Sequence, residues 1–79
     1  MQNTNSQNET FLTIRQVTNR IALSKSAIYR RMDIKDKLYD PTFPRPLKMG
    51  ETTSRWLESE VNNWIYNLIQ KQRNNCNAY

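Results

Sequence analysis

Two helix signatures separated by only two residues constrain the fold of this 79-residue chain more than any other feature of its sequence. The first begins at Thr13, which is followed three residues later by Gln16, as in an N-terminal capping box. The second begins at Ser24, a favourable N-cap residue. Each is followed by residues at the spacing of one helix face, namely Ile14, Val17, Thr18 and Ile21, then Ala27, Ile28, Arg31 and Met32. Because only Ala22 and Leu23 separate the two patterns, the sequence predicts a helix-turn-helix.

The remainder of the chain predicts a β-hairpin and a third helix. Three prolines exclude helix between residues 33 and 46: Pro41, Pro44 and Pro46. Two short strands fit around Gly50 and Glu51. A last helix is predicted to run to about Arg73, with its apolar face formed by Val61, Trp64, Ile65 and Leu68. The predicted fold is therefore mostly α with a small β-hairpin, in the order of a winged helix-turn-helix.

The apolar stripes also predict the hydrophobic core and the domain limits. The predicted core residues are Phe11, Ile14, Val17, Ile21, Leu23, Ile28, Met32, Phe43, Trp56, Val61, Trp64, Ile65 and Leu68. Residues 1–9 and 74–79 contain almost no apolar side chains that could be buried. We therefore expect disordered tails at 1–9 and 74–79 around one domain of residues 10–73.

Composition argues against several classes of function. Histidine is absent, and the one cysteine, Cys76, lies in the predicted C-terminal tail. The chain therefore lacks the commonest general base and cannot assemble a zinc site from cysteine and histidine. We expect no enzyme activity, no catalytic residue, no metal and no cofactor. Because no apolar run is long enough to span a membrane, we expect a cytoplasmic protein that has no membrane partner.

Positive charge is concentrated in the two helices of the predicted helix-turn-helix. The net charge is +5, and the segment between Glu9 and Asp33 contains no acidic residue but five basic ones: Arg15, Arg20, Lys25, Arg30 and Arg31. Arg15 and Lys25 stand in the first turns of their helices, where the helix dipole disfavours a cation. A phosphate at both helix N-termini would convert these repulsions into attractions. The charge pattern therefore favours a polyanionic partner.

Three blocks of the sequence resemble the AlpA family of prophage regulatory proteins. LSKSAIYR at 23–30 resembles the family's second helix, YDPTFPRP at 39–46 its proline-rich approach to the wing, and WLESEV at 56–61 with Trp64 its final helix. The blocks follow the family's order and spacing from residue 11 to about residue 70. The resemblance implies a MerR-like winged helix-turn-helix, as in phage excisionases. It further implies a role in a prophage or genomic island, as a regulator of an integrase gene, as an excision factor, or as both.

The second helix is predicted to read DNA with the residues opposite its core stripe, which are Lys25, Ser26, Tyr29 and Arg30. Arg30 suits either a guanine edge or a phosphate, and Tyr29 either contacts DNA or buries its ring against the wing. The complete set of predicted DNA-binding residues is Arg15, Lys25, Ser26, Tyr29, Arg30, Arg45, Lys48 and Arg55. A salt bridge to Glu58 or Glu60 is the alternative role of Arg55.

Double-stranded DNA is therefore the predicted partner. An integrase or another DNA-bound protein is a further candidate, and we expect a monomer in solution that could bind DNA cooperatively. A second hypothesis is a protein-interaction module that inhibits or titrates another regulator, with the acidic stretch 33–40 and the last helix as its surface. RNA binding lacks support, because the sequence has neither an RNP-like aromatic strand nor a GXXG loop.

Overall fold

The computed structural model describes residues 9–74, which form three helices and a small three-stranded sheet. In chain order the elements are β1 (Phe11–Leu12), α1 (Ile14–Ile21), α2 (Lys25–Met32), β2 (Leu47–Lys48), β3 (Ser54–Leu57) and α3 (Glu58–Asn74). β3 occupies the centre of the sheet and pairs antiparallel with both β1 and β2. The mostly helical fold with an antiparallel hairpin confirms the predicted fold class. Most of the predicted tails, residues 1–8 and 75–79, lie outside the described residues.

Local hydrogen bonds begin α1 and α2 where the sequence predicts. Thr13 Oγ1 accepts from the backbone N–H of Gln16 at 3.1 Å, and Gln16 Oε1 accepts from the backbone N–H of Thr13 at 2.8 Å, so the capping box is complete. Ser24 Oγ accepts from the N–H of Ala27 at 3.0 Å. α1 ends at Ile21 and is followed by the C-cap residue Ala22, whose φ of 59° is left-handed. This conformation reverses the chain within one residue and brings the first turn of α2 beside α1.

The core lies where the helix-turn-helix packs on the sheet and on α3. The buried apolar residues are Leu12, Val17, Ile28, Phe43, Trp56, Val61 and Trp64. Partly buried residues pack against them, namely Ile14, Ile21, Leu23, Met32 and Ile65. The ring of Phe43 meets the ring of Trp64 edge to face, with centroids 5.0 Å apart, a favourable aromatic geometry. Most of the predicted core is confirmed by these contacts.

The prediction of burial is wrong for two residues, and one buried residue was not predicted. Phe11 is 47% exposed, whereas its neighbour Leu12 is buried. The two residues form β1, in which successive side chains point to opposite faces, so burial of Leu12 exposes Phe11. Leu68 is 40% exposed because α3 continues past the core, and every described residue after Ile65 is exposed. Strand β1 itself was also not predicted.

Asp40 ties the proline-rich segment to α3. One carboxylate oxygen accepts from the backbone N–H of Thr42 at 2.8 Å and from its hydroxyl at 2.6 Å, and the other accepts from Trp64 Nε1 at 3.2 Å. Partial burial raises the pKa of the Asp40 carboxyl, but these hydrogen bonds and nearby Arg31 outweigh burial and leave the pKa below its ordinary value. The ionised side chain therefore stabilises the segment that follows α2.

Candidate nucleic-acid interface

The four residues predicted to read DNA share one solvent-exposed face of α2. Helical spacing places Ser26 and Arg30 nearly opposite Ile28, which is fully buried in the core, and Lys25 and Tyr29 at the side of the helix. The residues of the exposed face are Lys25, Ser26, Tyr29 and Arg30. Tyr29 is 45% exposed, so its ring is not buried against the wing. α2 is therefore anchored along one side and presents hydroxyl, ammonium and guanidinium groups along the other.

Arg15 and Lys25 line one surface groove, although they are ten positions apart in the sequence. The groove has a volume of about 590 Å³ and lies where α1 adjoins the first turn of α2. Ser24 and Asn19 contribute polar groups to its lining. Neither helix carries an acidic residue in its first turn, and neither basic side chain has a hydrogen-bond or ion-pair partner among residues 9–74. Two basic side chains with no partner in residues 9–74 thus line one groove, which runs along α1 from its first turn to its C-cap Ala22 and reaches the first turn of α2.

Arg30 stands at the other end of the exposed α2 face and is held by a carboxylate. Its Nε donates to Asp36 Oδ2 at 3.0 Å. The pKa of the Asp36 carboxyl lies below its ordinary value because the backbone N–H of Leu38, and then Arg30, donate hydrogen bonds to the ionised form. Within the part of the chain that the structure describes, the two terminal nitrogens of Arg30 have no partner. They remain available to an acceptor in solvent or on a ligand.

The remaining predicted DNA-binding residues lie outside α2, on the wing and on the segment that leads to it. Arg45 donates to the Met32 carbonyl at 2.8 Å and to the Tyr39 hydroxyl at 2.9 Å, and its guanidinium lies 5.4 Å from the centroid of the Tyr39 ring. These contacts give Arg45 a structural role at the C-terminal end of α2. Its contact with DNA stays a prediction.

The two basic residues of the hairpin have different surroundings. Lys48 is exposed on β2, opposite Ser54. Arg55 is partly buried on β3, where one terminal nitrogen donates to the carbonyl of Ser54 at 2.9 Å. The alternative salt bridge from Arg55 to Glu58 or Glu60 is not among the ion pairs of residues 9–74, and Glu58 pairs with Arg20 instead. DNA contacts from the wing therefore also stay predictions.

The five basic residues between Glu9 and Asp33 do not form one charged surface. Arg20 forms a salt bridge with Glu58 at 2.8 Å and donates to Asn62 Oδ1 at 3.1 Å, and thereby joins α1 to the first turns of α3. Arg31 is partly buried and donates to the carbonyl of Ala27 at 3.1 Å. Sequence reasoning missed the Arg20 contacts, because they connect residues far apart in the chain. Three basic residues of the segment therefore remain directed outward: Arg15, Lys25 and Arg30.

Two negative observations apply to residues 9–74. No group of acidic, histidine or cysteine side chains there is arranged to hold a metal ion. No helix in this stretch has the length and apolar character needed to cross a membrane.

Comparison with known proteins links this arrangement to one family. The family model described as prophage CP4-57 regulatory protein (AlpA) matches residues 10–69, which include α1, α2, the hairpin and most of α3. The DNA-binding transcriptional activator AlpA of Escherichia coli (strain K12) is 28% identical over 54 residues, which are 68% of this chain and 77% of that protein. No solved structure matches the chain.

Proposed function

Because the chain belongs to the AlpA family of prophage regulatory proteins, we propose that it binds double-stranded DNA in a sequence-specific manner. The name of the Escherichia coli relative, a DNA-binding transcriptional activator, supports this function. In this proposal α2 is the recognition helix and enters the major groove, whose base edges carry a distinct pattern of donors and acceptors. The chain catalyses no reaction and needs no cofactor.

One observation supports the proposal most. The exposed face of α2 continues into the groove that Arg15 and Lys25 share. A DNA phosphate beside the first turn of α1 would meet Arg15, and one beside the first turn of α2 would meet Lys25, each at a helix N-terminus. Each helix end adds about 0.3–1 kcal/mol of attraction for an anion. The same cations slightly destabilise the unbound protein, and this local cost is explained if binding a phosphate is their function.

The proposed biological role is one within a mobile element, that is, a prophage or a genomic island. The protein regulates transcription of an integrase gene, directs excision of the element, or does both from the same DNA-binding surface. Its partners are duplex DNA in the cytoplasm and an integrase or another protein bound beside it. We expect a monomer in solution and cooperative binding where several sites adjoin.

The main competing function is a protein-interaction module that uses the acidic stretch 33–40. A groove of about 1050 Å³ between the proline-rich segment and α3 offers space for a partner. However, the carboxylates of this stretch are engaged within the fold. Asp36 accepts from Leu38 and Arg30, Asp40 from Thr42 and Trp64, and Asp33 from Lys35. Of these contacts only the ion pair with Arg30 offsets a charge of the stretch. The preference for DNA as the partner rests on the family and on the name of the Escherichia coli relative.

Salt dependence of binding tests the proposed function. If about four to six phosphates are neutralised, log K for a duplex should fall with log salt at a slope of about −4 to −5. Fluorescence anisotropy with a labelled duplex of about 20 base pairs, two helical turns, measures the slope. A flat response, or no retention at physiological salt, would instead support the protein-interaction module.

Two variants test whether the phosphates that cause the salt dependence bind in the groove lined by Arg15 and Lys25. Arg15→Ala should make the slope shallower by about one, because one phosphate contact is lost. The matched control is Arg20→Met, which lowers the net charge by one, as Arg15→Ala does, but removes an arginine already paired within the fold. It should keep the wild-type slope and cost about 0.2–1 kcal/mol of stability, as expected for an exposed ion pair. Equal effects of the two changes would show that the groove is not the phosphate site.

A further inference from the structure

We propose that Asp36 is a positioning residue that orients Arg30 toward a guanine in the major groove. The inference rests on the proposed DNA-binding function and deepens it, because it assigns base recognition to one arginine and its orientation to a residue outside the recognition helix. Asp36 itself need not contact DNA. It lies in the segment between α2 and the wing, six positions after Arg30.

Hydrogen bonds that do not involve Arg30 hold the carboxylate of Asp36 in place. The backbone N–H of Asp36 donates to the Asp33 carbonyl at 2.9 Å, and its carbonyl accepts from the N–H of Tyr39 at 3.0 Å. One carboxylate oxygen accepts from the N–H of Leu38 at 2.8 Å. The side chain of Asp36 is 18% exposed, whereas that of Arg30 is 56% exposed. A well-anchored acceptor therefore holds a long side chain that would otherwise sample many rotamers.

The hydrogen bond to Asp36 engages only Nε of Arg30 and leaves the two terminal nitrogens available to a guanine. Asp36 Oδ2 accepts from Nε of Arg30 at 3.0 Å, on the side of the group nearest the main chain. The two terminal nitrogens, which have no partner among residues 9–74, form a planar pair of donors. Such a pair matches O6 and N7 of guanine, the commonest specific arginine contact in the major groove. Ordering Arg30 in the free protein removes an entropic cost from the bound state.

The charge of the Arg30–Asp36 pair also favours a contact of Arg30 with a base over a contact with a phosphate. The carboxylate neutralises much of the Arg30 charge and would repel a neighbouring phosphate. The directional donors of Arg30 are retained. An arginine that only clamped phosphate would gain nothing from such a neighbour, and Arg15 and Lys25 in the shared groove have no acidic partner in the described part of the chain. The structure therefore separates phosphate attraction at the groove from base recognition at Arg30.

The experiment compares two single substitutions that change the charge equally. Asp36→Asn retains one oxygen that can accept from the Leu38 N–H. The amide NH2 group that replaces the second oxygen is a donor and cannot accept from Arg30. Asp33→Asn is the matched control, because Asp33 lies in the same segment and its side chain accepts from the backbone N–H of Lys35 but from no arginine side chain in residues 9–74. Its backbone N–H donates to the Arg30 carbonyl at 3.2 Å, a contact that the substitution keeps. Affinities are measured for a duplex enriched by the wild-type protein from a random pool and for a scrambled duplex of the same composition. Circular dichroism and thermal melting check the fold.

We expect Asp36→Asn to reduce the ratio of the two affinities by about three- to tenfold, which corresponds to loss of the pre-ordering of one long side chain. Asp33→Asn should leave the ratio unchanged. In an Arg30→Ala background, Asp36→Asn should not reduce the ratio further, because its effect acts through Arg30.

Three results would overturn the inference while the proposed function stands. The first is an equal ratio for Asp36→Asn and Asp33→Asn. The second is a loss of discrimination that persists in the Arg30→Ala background, which would indicate a merely structural role. The third is a higher ratio for Asp36→Asn than for the wild type, which would show that Asp36 withholds Arg30 from DNA. If the wild-type protein itself enriches no duplex, the proposed function and the inference both fail.

Discussion

Replacement of Trp56 by alanine is expected to lower the free energy of unfolding by about 3–5 kcal/mol. Trp56 is 1% exposed on β3, the central strand of the sheet, and belongs to the core shared by the helix-turn-helix and α3. No smaller side chain can fill its space. A domain of this size has only about 3–10 kcal/mol of stability in total. The alanine variant should therefore lose most of its cooperative unfolding transition.

Urea denaturation followed by circular dichroism measures this effect, with two variants for comparison. Trp56→Phe keeps an aromatic ring and removes the indole N–H, which is buried without a hydrogen-bond partner in the described residues. Its cost should be much smaller, because deletion of an unsatisfied donor offsets part of the cavity. Leu68→Ala, on the exposed part of α3, should cost less than about 1 kcal/mol. An alanine variant at position 56 as stable as the Leu68 variant would contradict the described core.

Arg30→Ala is expected to cost about 1–3 kcal/mol on the enriched duplex, a loss of about 5- to 150-fold, and far less on scrambled DNA. The planar donors of Arg30 suit a guanine edge, whereas Lys25 offers a point charge beside a helix N-terminus. Lys25→Ala should therefore weaken binding to both duplexes by similar amounts. It should also make the salt slope shallower by about one.

Titration of both variants on both duplexes at two salt concentrations separates these effects. If Arg30→Ala lowers both affinities equally, Arg30 contacts phosphate. Specificity would then come from Ser26, Tyr29 or the sequence-dependent shape of the DNA. If neither substitution changes binding, α2 is not the recognition helix.

Much of the helix-turn-helix could be predicted because its signals are local. The capping box at Thr13, the N-cap at Ser24 and the apolar stripes act within a few residues, and each is confirmed. The same helical spacing places the four reading residues of α2 on one exposed face. What the face contacts depends on partners outside the chain, and the DNA-binding role of each residue stays a prediction.

Several features that sequence reasoning missed depend on how parts of the chain far apart in sequence pack together. The two-residue strand β1 is too short to show a periodicity and exists because it pairs with β3. Arg20 meets Glu58 only after α1 and α3 have packed, a separation of 38 positions. Leu68 follows the apolar spacing of α3 but lies beyond the end of the core. Spacing identifies the face of a helix, but it does not show where the opposing surface ends.

The contact between Arg30 and Asp36 was missed for a different reason. The two residues are only six positions apart, yet they lie on either side of the end of α2. Because Asp36 lies beyond the end of α2, helical spacing does not predict the pair. It forms because the backbone after Asp33 turns back, with successive hydrogen bonds from Asp36 to Asp33 and from Tyr39 to Asp36.

The central claim is that duplex DNA binds on the face formed by the first turn of α1 and the exposed side of α2. Titration of the isotopically labelled protein with the enriched duplex, followed through its amide chemical shifts, tests this claim most directly. The largest changes should occur at residues 13–16 and 24–30, while the exposed end of α3, residues 66–74, should change little. Changes concentrated on residues 66–74, or no changes at saturating duplex, would contradict the account.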